Sequence, residues 1–190
     1  MKYLKMLGVA AVSAMAFMAF ASTASATTLE VGGTTKNEPI TITASLESGT
    51  SAELFDTDEF TQNTCTTSHV HGTTSTTTGS AVTGALSTLT FTNCTRLVTV
   101  HAPGKLEIRW TEATKGIVSS EEATVTVRVP LIGYVTCRTH TTTDIGTFTG
   151  VSSGNATLHI NAVLDCGSIP SAVWEGDYEV TSPSGLGVSS

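Results

Sequence analysis

Alternation with a period of two dominates this chain and restricts it to β-structure. In Lys105–Trp110, Leu106, Ile108 and Trp110 fall on one face of a strand, and Glu107 and Arg109 fall on the other. Ala123–Val129 repeats the pattern, with Val125, Val127 and Val129 turned inward. Similar short runs occur at Thr41–Thr43, Ala81–Phe91, Val98–Val100, Tyr134–His140, Ile145–Val151, Ala156–Leu164 and Tyr178–Val180. Glycine, proline or Ser/Thr clusters separate them. Pro103-Gly104 marks one turn, and Gly84 marks a bulge or kink inside its run. About a fifth of the residues are threonine, whose β-branched side chain favours strands while its hydroxyl faces water. About ten strands with no crossover helices between them argue for an antiparallel sandwich or barrel. We expect an all-β fold of the sandwich kind, immunoglobulin-like or jelly-roll-like. Ser51–Phe60 reads as acidic and irregular, and the tail Ser182–Ser190 as loose or as an added edge strand.

The N-terminus has the grammar of an export signal. Lys2 and Lys5 precede an apolar run, Leu7–Phe20, and Ala24-Ser25-Ala26 offers small residues for cleavage. The run is short for a membrane span, so residues 1–26 are expected to be a cleaved signal peptide and residues 27–190 a single domain. That places the protein in the periplasm, at the cell surface or outside the cell, with no transmembrane segment in the mature chain. Without Lys2 and Lys5, seven basic residues face sixteen acidic ones, a net charge of −9. Such a balance repels phosphate backbones and excludes nucleic acid as a partner.

Four cysteines in an exported chain are read first as two disulfides. Cys65 and Cys94 are 29 residues apart, and so are Cys137 and Cys166, at an offset of 72 residues. At the same offset Thr64, Leu86, Gly104 and Glu107 meet Thr136, Leu158, Gly176 and Glu179, so an internal duplication with halves of about 64–108 and 136–180 is expected. Of three possible connectivities, the duplication favours Cys65–Cys94 and Cys137–Cys166. One irregularity stands out: Leu89 and Phe91 are odd-numbered while Cys94 is even, so a bulge is needed to bring all three to one face.

His69 and His71 share a strand face and form the nearest approach to a metal box, with Cys65 four residues before. The cysteine is better used in a disulfide, and Cys137 to His140 is one residue shorter than Cys65 to His69. The histidines are therefore read first as solvent-facing, as are His101 and His159 on the polar sides of their strands. Asp56 and Asp58, with Glu53 and Glu59, form an acidic run that lacks the glycine and distal glutamate of an EF-hand loop. Asn93-Cys94-Thr95 and Asn155-Ala156-Thr157 match the glycosylation pattern. Hydrolase and phosphate-loop motifs do not occur, and neither an enzyme nor a cofactor is expected.

The segment Cys137…Gly146-Thr147-Phe148-Thr149-Gly150…Gly154-Asn155-Ala156-Thr157…Cys166 resembles the repeating unit of the protein activator of alkane oxidation family, the PraB-like proteins. Leu86–Thr95 and Val180–Val188 resemble segments of other Thr/Gly-rich bacterial exported proteins. The resemblance implies a bacterial exported β-sandwich acting near hydrophobic material, and it carries no catalytic residues. The expected function is that of a non-enzymatic secreted binding or structural protein at the cell surface, in the matrix or at a hydrophobic interface. Its candidate partners are a hydrophobic surface, a polysaccharide or further copies of itself. The alternative is a fibre subunit that exchanges a terminal β-strand; a hydrolase with a scattered site and an extracellular metal binder rank below it.

Overall fold

The computed structural model describes residues 25–56, 60–129, 131–139, 143–167 and 172–190. Of the expected leader, residues 1–24 lie outside the described residues. The described residues form strands and turns without a helix. In chain order the strands are β1 (Thr27–Val31), β2 (Thr34–Thr35), β3 (Thr41–Leu46), β4 (Ala52–Phe55), β5 (Thr61–Thr74), β6 (Thr78–Gly79), β7 (Val82–Cys94) and β8 (Val98–Ala102). They continue with β9 (Lys105–Glu112), β10 (Lys115–Glu121), β11 (Thr124–Val129), β12 (Gly133–Arg138), β13 (Thr143–Thr149), β14 (Thr157–Leu164), β15 (Ala172–Ser182) and β16 (Leu186–Ser189). The acidic segment after Ser51 is thus partly a strand, β4.

Eight strands close into an antiparallel barrel in the order β14-β13-β10-β9-β7-β5-β3-β15. Closure comes from β15 pairing back onto β14 over eight residue pairs, from Thr157↔Glu179 to Leu164↔Ala172. This corrects the expected sandwich: one sheet returns to its own first strand, where a sandwich would stack two sheets with free edges. β3 and β4 together form one stave. Ser45 pairs with His69 and Ala52 with Cys65 on β5, and residues 47–51 leave the wall between them.

Bulges and glycines supply the curvature that closure needs. On β7, His71↔Thr88 is followed by Gly72↔Leu86, leaving Ser87 as the extra residue. Leu86 and Leu89 therefore both face inward, although they are three apart. A second bulge leaves Ile145 as the extra residue between Val118↔Gly146 and Ser119↔Asp144. Gly84 pairs regularly with Thr74, so the irregularity of β7 is at Ser87 and not at the glycine. Gly146 allows a close approach of strands: a Cβ there would lie 2.0 Å from the His159 carbonyl oxygen.

The two ends of the barrel are covered differently. At one end β1 and β16 pair with each other, Leu29 opposite Val188 and Val31 opposite Leu186. Leu29, Leu186 and Val188 are buried, so the C-terminal tail is an integral core strand and not a loose one. At the other end β8, β11 and β12 form a separate three-stranded flap. Its inner face carries Val127, Val129, Val135 and Cys137, all buried.

Both disulfides lie at the flap end and join Cys65 to Cys94 and Cys137 to Cys166. Their surroundings differ. Cys65 and Cys94 are opposite one another on neighbouring staves β5 and β7. Cys137 is on the flap strand β12, and Cys166 follows β14, beside the isolated bridge Arg138↔Asp165. The 72-residue offset therefore maps a barrel stave onto a flap strand, and the fold does not show a duplication.

Candidate functional site

The barrel lumen is lined by apolar side chains and has two chambers. The chamber beneath the flap has a volume of about 110 Å³ and is walled by Phe91, Ile145, Ile160, Leu164 and Trp174 under a roof of Val125 and Cys137. The chamber towards the terminal strands measures about 80 Å³ and is walled by Val82, Ile108, Val118, Phe148, Val180 and Leu186. Val70, Leu106 and Leu158 border both and form a waist between them. Inward alternation creates this lining: Leu158, Ile160, Ala162 and Leu164 share one parity on β14, and Trp174, Gly176, Tyr178 and Val180 share one on β15.

Small side chains on the β3–β4 stave let larger ones reach across it. Ala44 and Ala52 are buried there, and Gly176 lies beside Ala52. Trp174 meets Phe91 edge to face with ring centroids 4.7 Å apart. Such a pair adds about 0.5–1.5 kcal/mol beyond simple area burial. The Tyr178 hydroxyl donates to Ser68 Oγ at 3.1 Å inside the protein. Burial pushes the Tyr178 phenol above its ordinary value, and hydrogen bonds with Ser68 and Trp174 offset part of the shift. The hydroxyl is thus a neutral donor at physiological pH.

The rim beneath the flap is polar. Ser120, Arg138 and Thr139 border the larger chamber there. Thr139 latches the flap to the barrel: its Oγ1 accepts from the Ala123 amide at 3.2 Å and lies 3.3 Å from Ser120 Oγ. Its own amide donates to the Ala123 carbonyl.

The outer wall has the opposite character. Glu175, Asp177 and Glu179 alternate with the lumen residues of β15. His159 Nδ1 is 2.7 Å from Asp177 Oδ1, and Asn155 donates to Glu179. Arg109 pairs with Asp144, which also accepts from Ser119 Oγ at 2.7 Å. Hydrogen bonding from Ser119 is the main cause that holds the Asp144 carboxyl below its usual range; desolvation opposes it, and the Arg109 charge and hydrogen bond add to the lowering. A polar exterior around an apolar lumen is the reverse of a transmembrane β-barrel. No helix among the described residues is long and apolar enough to cross a membrane.

The sequence-derived candidates are dispersed over this outer wall or occupied in structure. His69 and His71 are exposed on β5, opposite Ser45 and Thr43 on one side and Thr90 and Thr88 on the other. His71 Nδ1 is 2.8 Å from Ser87 Oγ. Cys65 does not share their face. It is buried and disulfide-bonded, because the strand parity switches between Cys65 and Ser68. On β7 the switch comes at Asn93, whose φ of 53° is a left-handed conformation that asparagine tolerates. It brings Cys94 inward in place of a bulge. Asp56 accepts from the Phe60 amide and from Gln62 Nε2, whereas Asp58 lies outside the described residues. Among the described residues no three His, Cys, Asp or Glu side chains come together as a metal cluster.

Phe91, Trp174 and Tyr178 were missed as site residues by sequence reasoning. Their available signal was the pattern Trp174-x-Gly176-x-Tyr178, large residues flanking a gap on one strand face. The chain is a closed eight-stranded antiparallel barrel with two disulfides, an apolar lumen, one end covered by its terminal strands and the other by a tethered flap. No protein-family model, curated protein or solved structure matches it. The two disulfides are compatible with an oxidising compartment outside the cytoplasm.

Proposed function

We propose that the protein is a non-enzymatic, exported binding protein whose barrel lumen holds one small apolar molecule. The observation that carries this reading is the chamber of about 110 Å³ beneath the flap, walled by aromatic and aliphatic side chains. Close-packed interiors rarely leave voids of this size. Apolar cavities of comparable size, about 150 Å³, stay dry and accept benzene or xenon. The ligand class is therefore a compact hydrocarbon, with Ser120, Arg138 and Thr139 as the polar residues on the chamber rim. An eight-stranded barrel is of a size that either fills with its own side chains or holds one small ligand.

The fibre alternative is less well supported. Its donor would be a terminal strand, and β1 and β16 already pair with each other within one chain. Monodisperse protein at high concentration would agree with that pairing.

The test is titration of the purified protein with benzene, cyclohexane and short alkanes, followed by Trp174 fluorescence. Saturable quenching or enhancement is expected, and Ala162→Phe, which fills the chamber from the β14 wall, abolishes it. A linear, unsaturable response in the unmodified protein, or an unchanged response in Ala162→Phe, would refute the lumen as a binding site.

A further inference from the structure

The outer face of the flap has a composition unlike the rest of the molecule. Among the described residues the large hydrophobic side chains left exposed are Phe60, Leu97, Leu131, Ile132, Tyr134 and Val163. Four belong to the flap or its entry. Leu131 and Ile132 are in the turn between β11 and β12, and Tyr134 is on β12 opposite Arg128. Leu97 joins the same row, since its carbonyl accepts from the Arg128 amide. Phe60 and Val163 lie at the same end of the barrel, at the start of β5 and near the end of β14.

Charge is segregated in the same way. The flap strands contain Arg128, Arg138 and His101 and no carboxylate, within a chain that has 16 acidic and 9 basic residues. Arg96 precedes Leu97 at the flap entry. Lys105, Arg109 and Lys115 are held in ion pairs on the barrel wall. Among the described residues no ion pair holds Arg96, Arg128 or Arg138, nor Lys36, which stands by itself near the terminal strands at the other end. The outer face is also graded: Leu131 and Ile132 at the tip, then Leu97, Arg128 and Tyr134, then a ladder of threonines. In that ladder Thr126 Oγ1 is 2.9 Å from Thr136 Oγ1, and His101 Nε2 is 2.8 Å from Thr126 Oγ1. Leu131 is fully exposed and has a φ of 64°, a conformation for which glycine or asparagine is the ordinary choice. A turn selected for stability alone would not carry leucine there.

We infer that the flap is a docking surface for an anionic lipid bilayer, with Leu131 and Ile132 entering the acyl boundary and Tyr134, Arg128 and Arg96 at headgroup level. Aliphatic side chains gain by leaving water for the acyl region, tyrosine suits the boundary with its ring in lipid and its hydroxyl in water, and arginine extends its charge to phosphate. The cluster of arginines on this face orients an otherwise acidic protein with its flap towards the bilayer. The inner face of the same flap roofs the larger chamber through Val125 and Cys137, so docking brings the chamber roof to the lipid surface. Docking itself does not depend on the lumen being a binding site, and the two readings fail separately.

The test is co-sedimentation of the disulfide-intact protein with vesicles of phosphatidylglycerol and phosphatidylcholine, and with vesicles of phosphatidylcholine alone. Binding to the anionic vesicles is expected, weakening as salt is raised. Leu131→Glu with Ile132→Glu lowers the partition coefficient at least about tenfold. Arg128→Glu lowers it by more than the roughly fivefold expected for simple loss of one cation near the surface. These side chains are exposed, so unchanged thermal unfolding of the variants shows that the fold is intact. The inference is overturned if the protein stays in the supernatant with anionic vesicles at low salt, or if the double variant binds as well as the unmodified protein. It is equally overturned if the same substitutions disrupt only a self-associated state, which would make a second copy the occupant of the flap face.

Discussion

Cys137, on a strand of the flap, is covalently joined to Cys166, just beyond the last residue of barrel strand β14. Cys65 and Cys94, by contrast, join two staves that are already hydrogen-bonded neighbours. One bridge holds the flap over the lumen, and the other reinforces the wall. Each closes a loop of the same separation, 29 residues, worth about 3.6 kcal/mol in the chain-entropy model.

The two bridges should therefore separate in their effects on dynamics more than on stability. Replacing Cys137 and Cys166 with alanine should raise amide hydrogen exchange in β11 and β12 selectively and speed ligand exit from the lumen. Replacing Cys65 and Cys94 should lower the denaturation midpoint with no selective exposure of the flap. Uniform exchange in both double variants would contradict the tether role of Cys137–Cys166.

Barrel closure makes a demand at Gly146. A Cβ there would lie 2.0 Å from the His159 carbonyl oxygen, and backbone cannot yield as a flexible side chain does. Gly146→Ala should destabilise the protein by at least about 2 kcal/mol, in the range of other disruptive core substitutions. Chemical denaturation measures this, and a loss below about 0.5 kcal/mol would mean that β13 and β14 do not approach as described.

Phe148 occupies the chamber nearer the terminal strands and is almost fully buried. Phe148→Ala should cost about 3–5 kcal/mol, the usual range for emptying such a site. Because Phe148 lies beyond the waist, the variant should also bind larger hydrocarbons than the unmodified protein, as competition with benzene would reveal.

Tyr178 ties stability to alkaline pH. Its phenol holds its proton more tightly in the folded than in the unfolded protein. Its contribution is therefore fully present below the ordinary tyrosine value of about 10 and is lost as pH rises above it. Tyr178→Phe should flatten that alkaline decline. Asp144 acts at the other limit: its depressed pKa gives stability above the ordinary carboxylate value of about 4, which is lost as pH falls through the folded value. Asp144→Asn should remove that acid-dependent component, as unfolding midpoints across pH would show.

Much of the secondary structure was legible because period-two alternation is a local property. The outward histidines and the inward Val127 and Val129 followed from it, as did the cysteine pairing from equal spacing. Closure was not legible, because it depends on register. Ser87 and Ile145 are two of the residues that shift it, and neither carries a turn-like signature. The equal cysteine spacing did not reveal that the two bridges sit in different settings, β5 being a barrel stave and β12 a flap strand. The lumen escaped detection for a related reason. Phe91 on β7 and the pair Trp174 and Tyr178 on β15 come from distant segments, and the sheet order β7-β5-β3-β15 brings them around one space.

Crystals pressurised with xenon test the lumen most directly, since xenon enters apolar cavities without needing a polar partner. A xenon atom is expected beneath the flap, among Phe91, Ile160, Leu164 and Trp174, and should be lost in Ala162→Phe. A lumen that takes up no xenon, or that holds only hydrogen-bonded water in that chamber, would contradict the binding role of the lumen.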